Sequence, residues 1–247
     1  MHIKYSIQGL LIYASIIAYI LTFLTALIRL RKTSRFFFFA GFVISCFSYG
    51  FRCWSVRNVP LQNLFEVFLF LGLIIYPLSI FCKKALKTRG FVFDPLIGAA
   101  VLTCSGFIFP EQILPLPPAL QGPFWIPHIA ANLFAFILIT KAAFAALGQI
   151  IGIQNKQANM VNFEESAYRL VCAGFPLLTL ALVLGCLWTQ FALADWWGWN
   201  PAQMWSLATW LVFAGYFFYR ESFGTKFPRL NSLWIICGFA LILIALR

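Results

Sequence analysis

Eight long apolar stretches constrain this chain more than any single motif does. They run over about 7–28, 36–54, 62–82, 91–109, 127–152, 168–192, 203–219 and 230–246. A helix needs about 20 apolar residues to cross the hydrocarbon layer of a bilayer, so eight such helices would occupy most of the 247 positions. The composition closes off the soluble alternatives. Hydrophobic residues make up 62% of the chain and charged residues only 10%, against about 25% charged in an ordinary soluble domain. An ordinary cytoplasmic enzyme, a disordered chain and a disulfide-stapled secreted module are therefore excluded. The sequence predicts an all-α fold: a polytopic membrane helical bundle of about eight transmembrane helices, forming one domain over 1–247. The first stretch lacks a small-residue cleavage site at its end, so it reads as a retained helix rather than a signal peptide.

The net charge of +11 raises nucleic acid as a partner, but the Lys and Arg residues sit between the apolar stretches, as topology determinants do. Thirteen fall in the alternate connections that follow stretches 1, 3, 5 and 7, and four fall on the other side. That bias predicts both termini on the outer (periplasmic) side, a multi-pass protein of the bacterial inner membrane, membrane lipid as its surroundings and no nucleic-acid role. Two outer connections, Pro110–Pro127 and the one after stretch 6, carry no Lys or Arg. The first is Pro-rich and reads as a loop. Its Ile113, Leu114, Leu116, Phe124 and Trp125 suit the membrane interface. The seven Cys include no C-x-x-C pair, so neither a disulfide framework nor a zinc site is expected.

The outer connection after stretch 6 reads Asp195-Trp196-Trp197-Gly198-Trp199-Asn200-Pro201-Ala202-Gln203-Met204-Trp205. An interfacial aromatic belt is one reading of it. A belt does not require a dense Trp cluster broken by Gly, Asn and Pro, and the other reading is an aromatic platform for a flat ligand. His128 opens stretch 5 on the same side. It reads either as a solvated interfacial imidazole or as an axial ligand for haem iron. Asn132, one turn on, has the spacing to orient its ring.

These segments resemble the tryptophan-rich "WWD" domain of cytochrome c assembly proteins of the CcsA/ResC type. Trp197-x-Trp199-Asn200-Pro201-x-Gln203-x-Trp205 resembles the family pattern W-x-W-D-P-x-E-x-W. Gly174-Phe175-Pro176-Leu177-Leu178-Thr179, with Gly185 and Trp188 after it, resembles the preceding helix, and Trp210 and Tyr216 continue the match. Pro60-Leu61-Gln62-Asn63-Leu64-Phe65-Glu66 resembles the F-P-x-x-N-L-Y-E stretch, and His128 matches one of the two histidines that flank the WWD segment. The resemblance implies haem handling. Haem b would be held on the outer face by His128 as metal ligand, with Trp196, Trp197, Trp199, Asn200, Gln203 and Trp205 around the macrocycle. A ResB/CcsB-like membrane partner and apocytochrome c, whose cysteines receive the haem, are the implied partners. No independent catalytic constellation is seen.

Phe218 and Asn58 stand where the family's other histidines would fall. A second axial ligand could come from Met204, His2 or the client cytochrome, or be absent. The alternative function is a non-catalytic, HemX-like assembly or regulatory relative that has lost the ligand set. A transporter using Glu66 and Lys141 as a relay is a third reading, without an inverted repeat to support it. Lys141 is expected either to pair with Glu66 or to snorkel to an interface. Asp94, before Pro95, reads as a first-turn charge, and Glu164 and Glu165 read as a solvated face.

Overall fold

A computed structural model describes residues 3–88, 90–152 and 162–245. The described residues form eight α-helices: α1 (Ile7–Leu27), α2 (Arg31–Val56), α3 (Leu64–Lys84), α4 (Asp94–Thr103), α5 (Trp125–Ile150), α6 (Phe163–Leu193), α7 (Pro201–Phe223) and α8 (Pro228–Ala245). A π-helical turn, Cys104–Ile108, continues α4, and a short 3-10 turn covers Pro118–Leu120. No strand occurs among the described residues. By length and composition α1, α2, α3, α5 and α6 can each cross a membrane, whereas α8 and α4 with its π turn are shorter apolar helices. Mid-helix residues such as Ile17, Phe47, Val183 and Leu211 lie exposed, as the outer faces of a bundle in lipid require. The chain is a polytopic membrane helical bundle.

The helices match the eight apolar stretches and differ at their ends. α2 begins at Arg31, α6 at Phe163 and α7 reaches Phe223, so Arg31, Lys32, Arg35, Arg169 and Arg220 are helical rather than connecting. α5 starts at Trp125, which places Trp125 and Pro127 in its first turn instead of the preceding loop. Proline is tolerated there because a first-turn N–H has no intrahelical partner. His2, Arg89, Lys156 and Arg247, used in the ligand and charge arguments, lie outside the described residues.

The chain divides into two compact units. The first comprises Met1–Ile80 and Phe91–Leu116. Tyr19 of α1 is its centre, fully buried, with its hydroxyl donating to Gly72 O of α3 at 2.9 Å. The ring lies between two glycines: a Cβ on Gly41 of α2 or Gly98 of α4 would stand 2.6 or 2.8 Å from its carbons. Small residues thus let three helices close on one aromatic ring.

One end of this unit is held by buried charge. Asn63 accepts from Glu66 N at 3.0 Å and caps α3. Glu66, at the third position, accepts from Gln62 N at 3.0 Å and from Arg52 Nε and Nη2 at 3.0 and 2.8 Å. Arg52 also donates to the carbonyls of Glu111 and Gln112, at 2.9 and 2.7 Å. Lys4 donates to the carbonyls of Ser105, Gly106 and Phe109 at the end of the π turn. Burial pushes the Lys4 ammonium below its ordinary pKa, and the charge of Glu111 opposes that. Glu66 is therefore the partner of Arg52, which corrects the expected Glu66–Lys141 pair. Long-range steering by Arg52 was invisible in sequence because the two residues meet only when α2 and α3 pack.

The second unit comprises Phe81–Gly90 and Pro117–Arg247. α5 is its core helix, with Ala135, Ile137, Ile139, Ala142, Ala145 and Ala146 at 0–1% exposure. The alanines let α6 and α8 approach closely. Lys141 is 5% exposed in the middle of α5, so it is enclosed by protein and does not snorkel. Glu164 is also buried rather than solvated. It pairs with Arg220 of α7 and accepts from Asn231 Nδ2 of α8 at 3.0 Å. Glu165 pairs with Arg169, one turn away, at 2.9 Å. Together these bonds tie the ends of α6, α7 and α8. Asp94 does open α4, and it is buried there.

Candidate functional site

His128 lies in the first turn of α5, half-buried against α6. Its Nδ1 is 2.7 Å from the carbonyl of Ala181. A carbonyl can only accept, so Nδ1 carries the hydrogen, and in the neutral imidazole Nε2 keeps its lone pair. The ring is stacked on Trp188, with centroids 6.1 Å apart and planes 9° from parallel. Gly185 lies beneath it: a Cβ there would stand 2.9 Å from Cε1 and 3.1 Å from Nδ1. Ala181, Gly185 and Trp188 follow i, i+4, i+7 spacing and form one face of α6. The expected orienter, Asn132, approaches Nε2 only to 3.4 Å and His128 O to 3.3 Å, too long to set the ring strongly. The Ala181 carbonyl sets it instead. Sequence spacing finds neighbours on the same helix and misses a carbonyl on another.

The same end of α6 carries the tryptophan loop. α6 ends at Ala194 in the left-handed region, and Thr189 Oγ1 is 3.1 Å from Trp196 O. Asp195 Oδ1 accepts from Trp197 N at 3.2 Å. Trp199 has φ 51°, a conformation that costs a bulky residue about 1–3 kcal/mol and that clusters at ligand sites. Asn200 caps α7 by accepting from Gln203 N at 3.0 Å, and Gln203 Oε1 accepts from Gly198 N at 2.9 Å. The two amide oxygens thus hold the loop on the helix. The same N-x-x-E/Q cap recurs as Asn63–Glu66 and, for its first bond, as Asn162–Glu165. That pattern is the sequence signal that would have found these roles.

The tryptophans divide by environment. Trp196 and Trp199 are more than half exposed, Trp205 is partly exposed, and Trp197 meets Trp199 edge-on at 6.0 Å. Trp197 Nε1 is buried with no acceptor among the described residues, and Gln190 Oε1 is buried with no donor. Trp210 lies deeper, donating to Thr179 Oγ1 at 2.9 Å and stacking on Phe175. Gly174 packs against Leu138 and Ile139 of α5. Those motif positions hold helices together. Met204 is exposed in the first turn of α7. Phe218 is 18 residues beyond Asn200, about 27 Å along α7 at 1.5 Å per residue. It is therefore far from the tryptophan loop, and Asn58 lies in the first unit, at the end of α2.

A profile of cytochrome c assembly proteins matches residues 61–246, three quarters of the chain. The chain belongs to the cytochrome c assembly protein family. Its curated relatives include the cytochrome c biogenesis protein CcsA of Guillardia theta, 26% identical over 242 residues that cover 79% of this chain and 80% of the relative. CcsA of Prochlorococcus marinus (strain NATL1A) is 24% identical over 239 residues, covering 78% and 74% of the two chains. CcsA of Chlamydomonas reinhardtii is 29% identical over 185 residues, covering 68% and 51%. The match begins at Leu61, just before the Asn63–Glu66 cap, and runs through the tryptophan loop, so the family region includes parts of both units.

The donor set of this family member fits haem iron at His128. A neutral imidazole whose Nδ1–H is bonded to a backbone carbonyl is the form that ligates through Nε2, and such a bond fixes ring orientation and raises ligand basicity. Gly185→Ala tests that support. The added methyl would displace the imidazole from Ala181 O, and losing an outer-shell partner typically costs about 10–100-fold in metal affinity. Haem titration of the purified variant is expected to show a loss of that size with the helical content unchanged. Unaltered affinity would mean that the Gly185 surface does not seat the ring.

Proposed function

We propose that this chain is a haem-handling membrane protein of cytochrome c biogenesis. On this reading it is one assembly domain over 1–247 in the bacterial cytoplasmic membrane, and it holds haem b at the outer face for attachment to apocytochrome c. The observation that carries the reading is the 2.7 Å contact of His128 Nδ1 with Ala181 O, which leaves Nε2 as the lone-pair nitrogen, on the stretch of α6 that also anchors the tryptophan loop. The family match and the names of the relatives agree with it. The excess of Lys and Arg on the opposite connections favours the outer face for His128 and the loop.

His128 would supply the axial nitrogen. Trp196, Trp197, Trp199 and Trp205 would give the macrocycle an apolar aromatic surface, with the indole N–H of Trp197 available to an acceptor on its edge. Asn200 and Gln203 would keep that surface in place through the cap of α7. Met204, exposed in the first turn of α7, would offer a thioether as a further ligand. When bound, haem supplies the vinyl groups that become thioethers with the client's cysteines. The protein's own part is to bind, orient and shield. A ResB/CcsB-type membrane partner and apocytochrome c complete the reading, as the cytochrome c assembly family match suggests.

Two measurements test this. The detergent-purified protein is expected to show a Soret band with α and β bands on reduction, and a deletion strain is expected to lose c-type cytochromes while keeping b-type ones. A colourless protein together with normal cytochromes c and altered haem synthesis would overturn the proposal and favour a HemX-like regulatory role.

A further inference from the structure

Trp188 makes three contacts that the haem-handling role does not by itself require. Its indole is stacked on His128 at 9°. It meets Trp125, the first residue of α5, at 4.9 Å. Its Nε1–H donates to Ala119 O, in the middle of the Pro118–Leu120 turn, at 2.8 Å. One turn further along α6, Phe191 packs on the same connection: it meets Phe124 edge-on at 6.2 Å, and a Cβ on Gly122 would lie 2.8 Å from its ring. The segment that leads into His128 is therefore fastened to α6 by an indole that also fixes the imidazole plane.

The imidazole has two torsions, and its bond to Ala181 O restrains only one edge. Without a flat neighbour the ring could pivot about that bond and swing Nε2 away. A parallel indole at stacking distance removes the pivot. The indole is itself immobilised, because its N–H is bonded to a main-chain carbonyl and its other flank rests against Trp125.

We propose that Trp188 is the positioning residue of the His128 site: it sets the plane in which Nε2 is presented and locks that plane to the Pro118–Leu120 turn. The ligand consequence rests on the haem reading above, whereas the claim about the ring stands without it.

The test uses the full chain, free of haem, in detergent, with histidine labelled with nitrogen-15 in the imidazole. The chain has two histidines, and the signal that disappears in His128→Ala identifies the ring. In the unmodified protein this ring is expected to give one N–H nitrogen and one bare nitrogen. Trp188→Leu is expected to collapse that pattern to a tautomer average and to lower haem affinity about tenfold. Trp188→Phe keeps a flat, smaller aromatic ring and removes the N–H. It is expected to keep the imidazole pattern, hold haem within about threefold and speed deuterium uptake across 117–124. Should Trp188→Leu fail to fold, Trp188→Phe decides: unchanged uptake across 117–124 would overturn the lock. An unaltered imidazole pattern in folded Trp188→Leu would overturn the positioning role. An unmodified protein that takes up no haem would sink the functional reading and leave the nitrogen spectra to judge Trp188.

Discussion

His128→Ala is expected to strip haem from the purified protein while leaving its helices in place. The imidazole is half-buried, and what it gives the fold is one bond to a helix carbonyl plus a stacking contact. Its removal therefore costs little in folding. The ligand loses its coordinate bond, which outweighs the roughly 10–100-fold effect typical of outer-shell partners. Affinity is expected to fall by more than about a hundredfold on that scale, seen as loss of the Soret band. The vacated space lies over Gly185, where no side chain fills it, so added imidazole is expected to restore part of the band. Asn132→Ala is the matched control. Its amide stands 3.4 Å from Nε2, and haem retention is expected to stay close to that of the unmodified protein. An intact spectrum in His128→Ala would remove His128 from the site.

The second large effect is structural. Glu66→Ala is expected to destabilise the first unit by about 3–5 kcal/mol, because it leaves the guanidinium of Arg52 uncompensated in a buried position. Glu66 is fully buried and Arg52 nearly so, and three hydrogen bonds run to the Glu66 carboxylate. Replacing both partners with apolar residues, as in Arg52→Met with Glu66→Leu, is expected to recover part of the loss, since an apolar pair of similar volume is often as stable as the ion pair. Arg52 additionally satisfies the carbonyls of Glu111 and Gln112, so the recovery should be incomplete and the 110–116 segment should become sensitive to proteolysis. Denaturant or thermal unfolding in detergent measures each term. Equal stability of Glu66→Ala and the unmodified chain would show that the pair is not held in a desolvated setting.

Much of this molecule was legible before any fold was known, and the misses have physical causes. Helix number and order followed from apolar length alone, because a bilayer demands a fixed span. Helix ends did not, since charged and polar residues continue α2, α6 and α7 beyond their apolar parts. His128 and the tryptophan loop could be singled out by residue type. Their mutual placement could not, because both depend on α6, where Ala181 and Thr189 look like ordinary packing residues in sequence and Gly185 and Trp188 stand out only as motif positions. Asn200 and Gln203 could be singled out as amides of the motif; that the Asn200 oxygen caps α7 and the Gln203 oxygen holds Gly198 of the loop could not be read there.

Glu66, Lys141, Glu164 and Glu165 mark the boundary most clearly. In the chain Glu66 and Lys141 were candidates to pair with each other, and Glu164 and Glu165 read as a solvated face. In the fold, Glu66 meets Arg52 across α2 and α3, Glu164 meets Arg220 and Asn231 across α6, α7 and α8, and Lys141 is enclosed in α5. By itself the sequence determined the helical membrane class, the family and the residue types able to ligate haem, because these follow from local composition and spacing. The tertiary structure alone decided which charges pair, which nitrogen of His128 is hydrogen-bonded and what holds its ring. Those properties arise where separate helices touch, and no local pattern encodes such a contact.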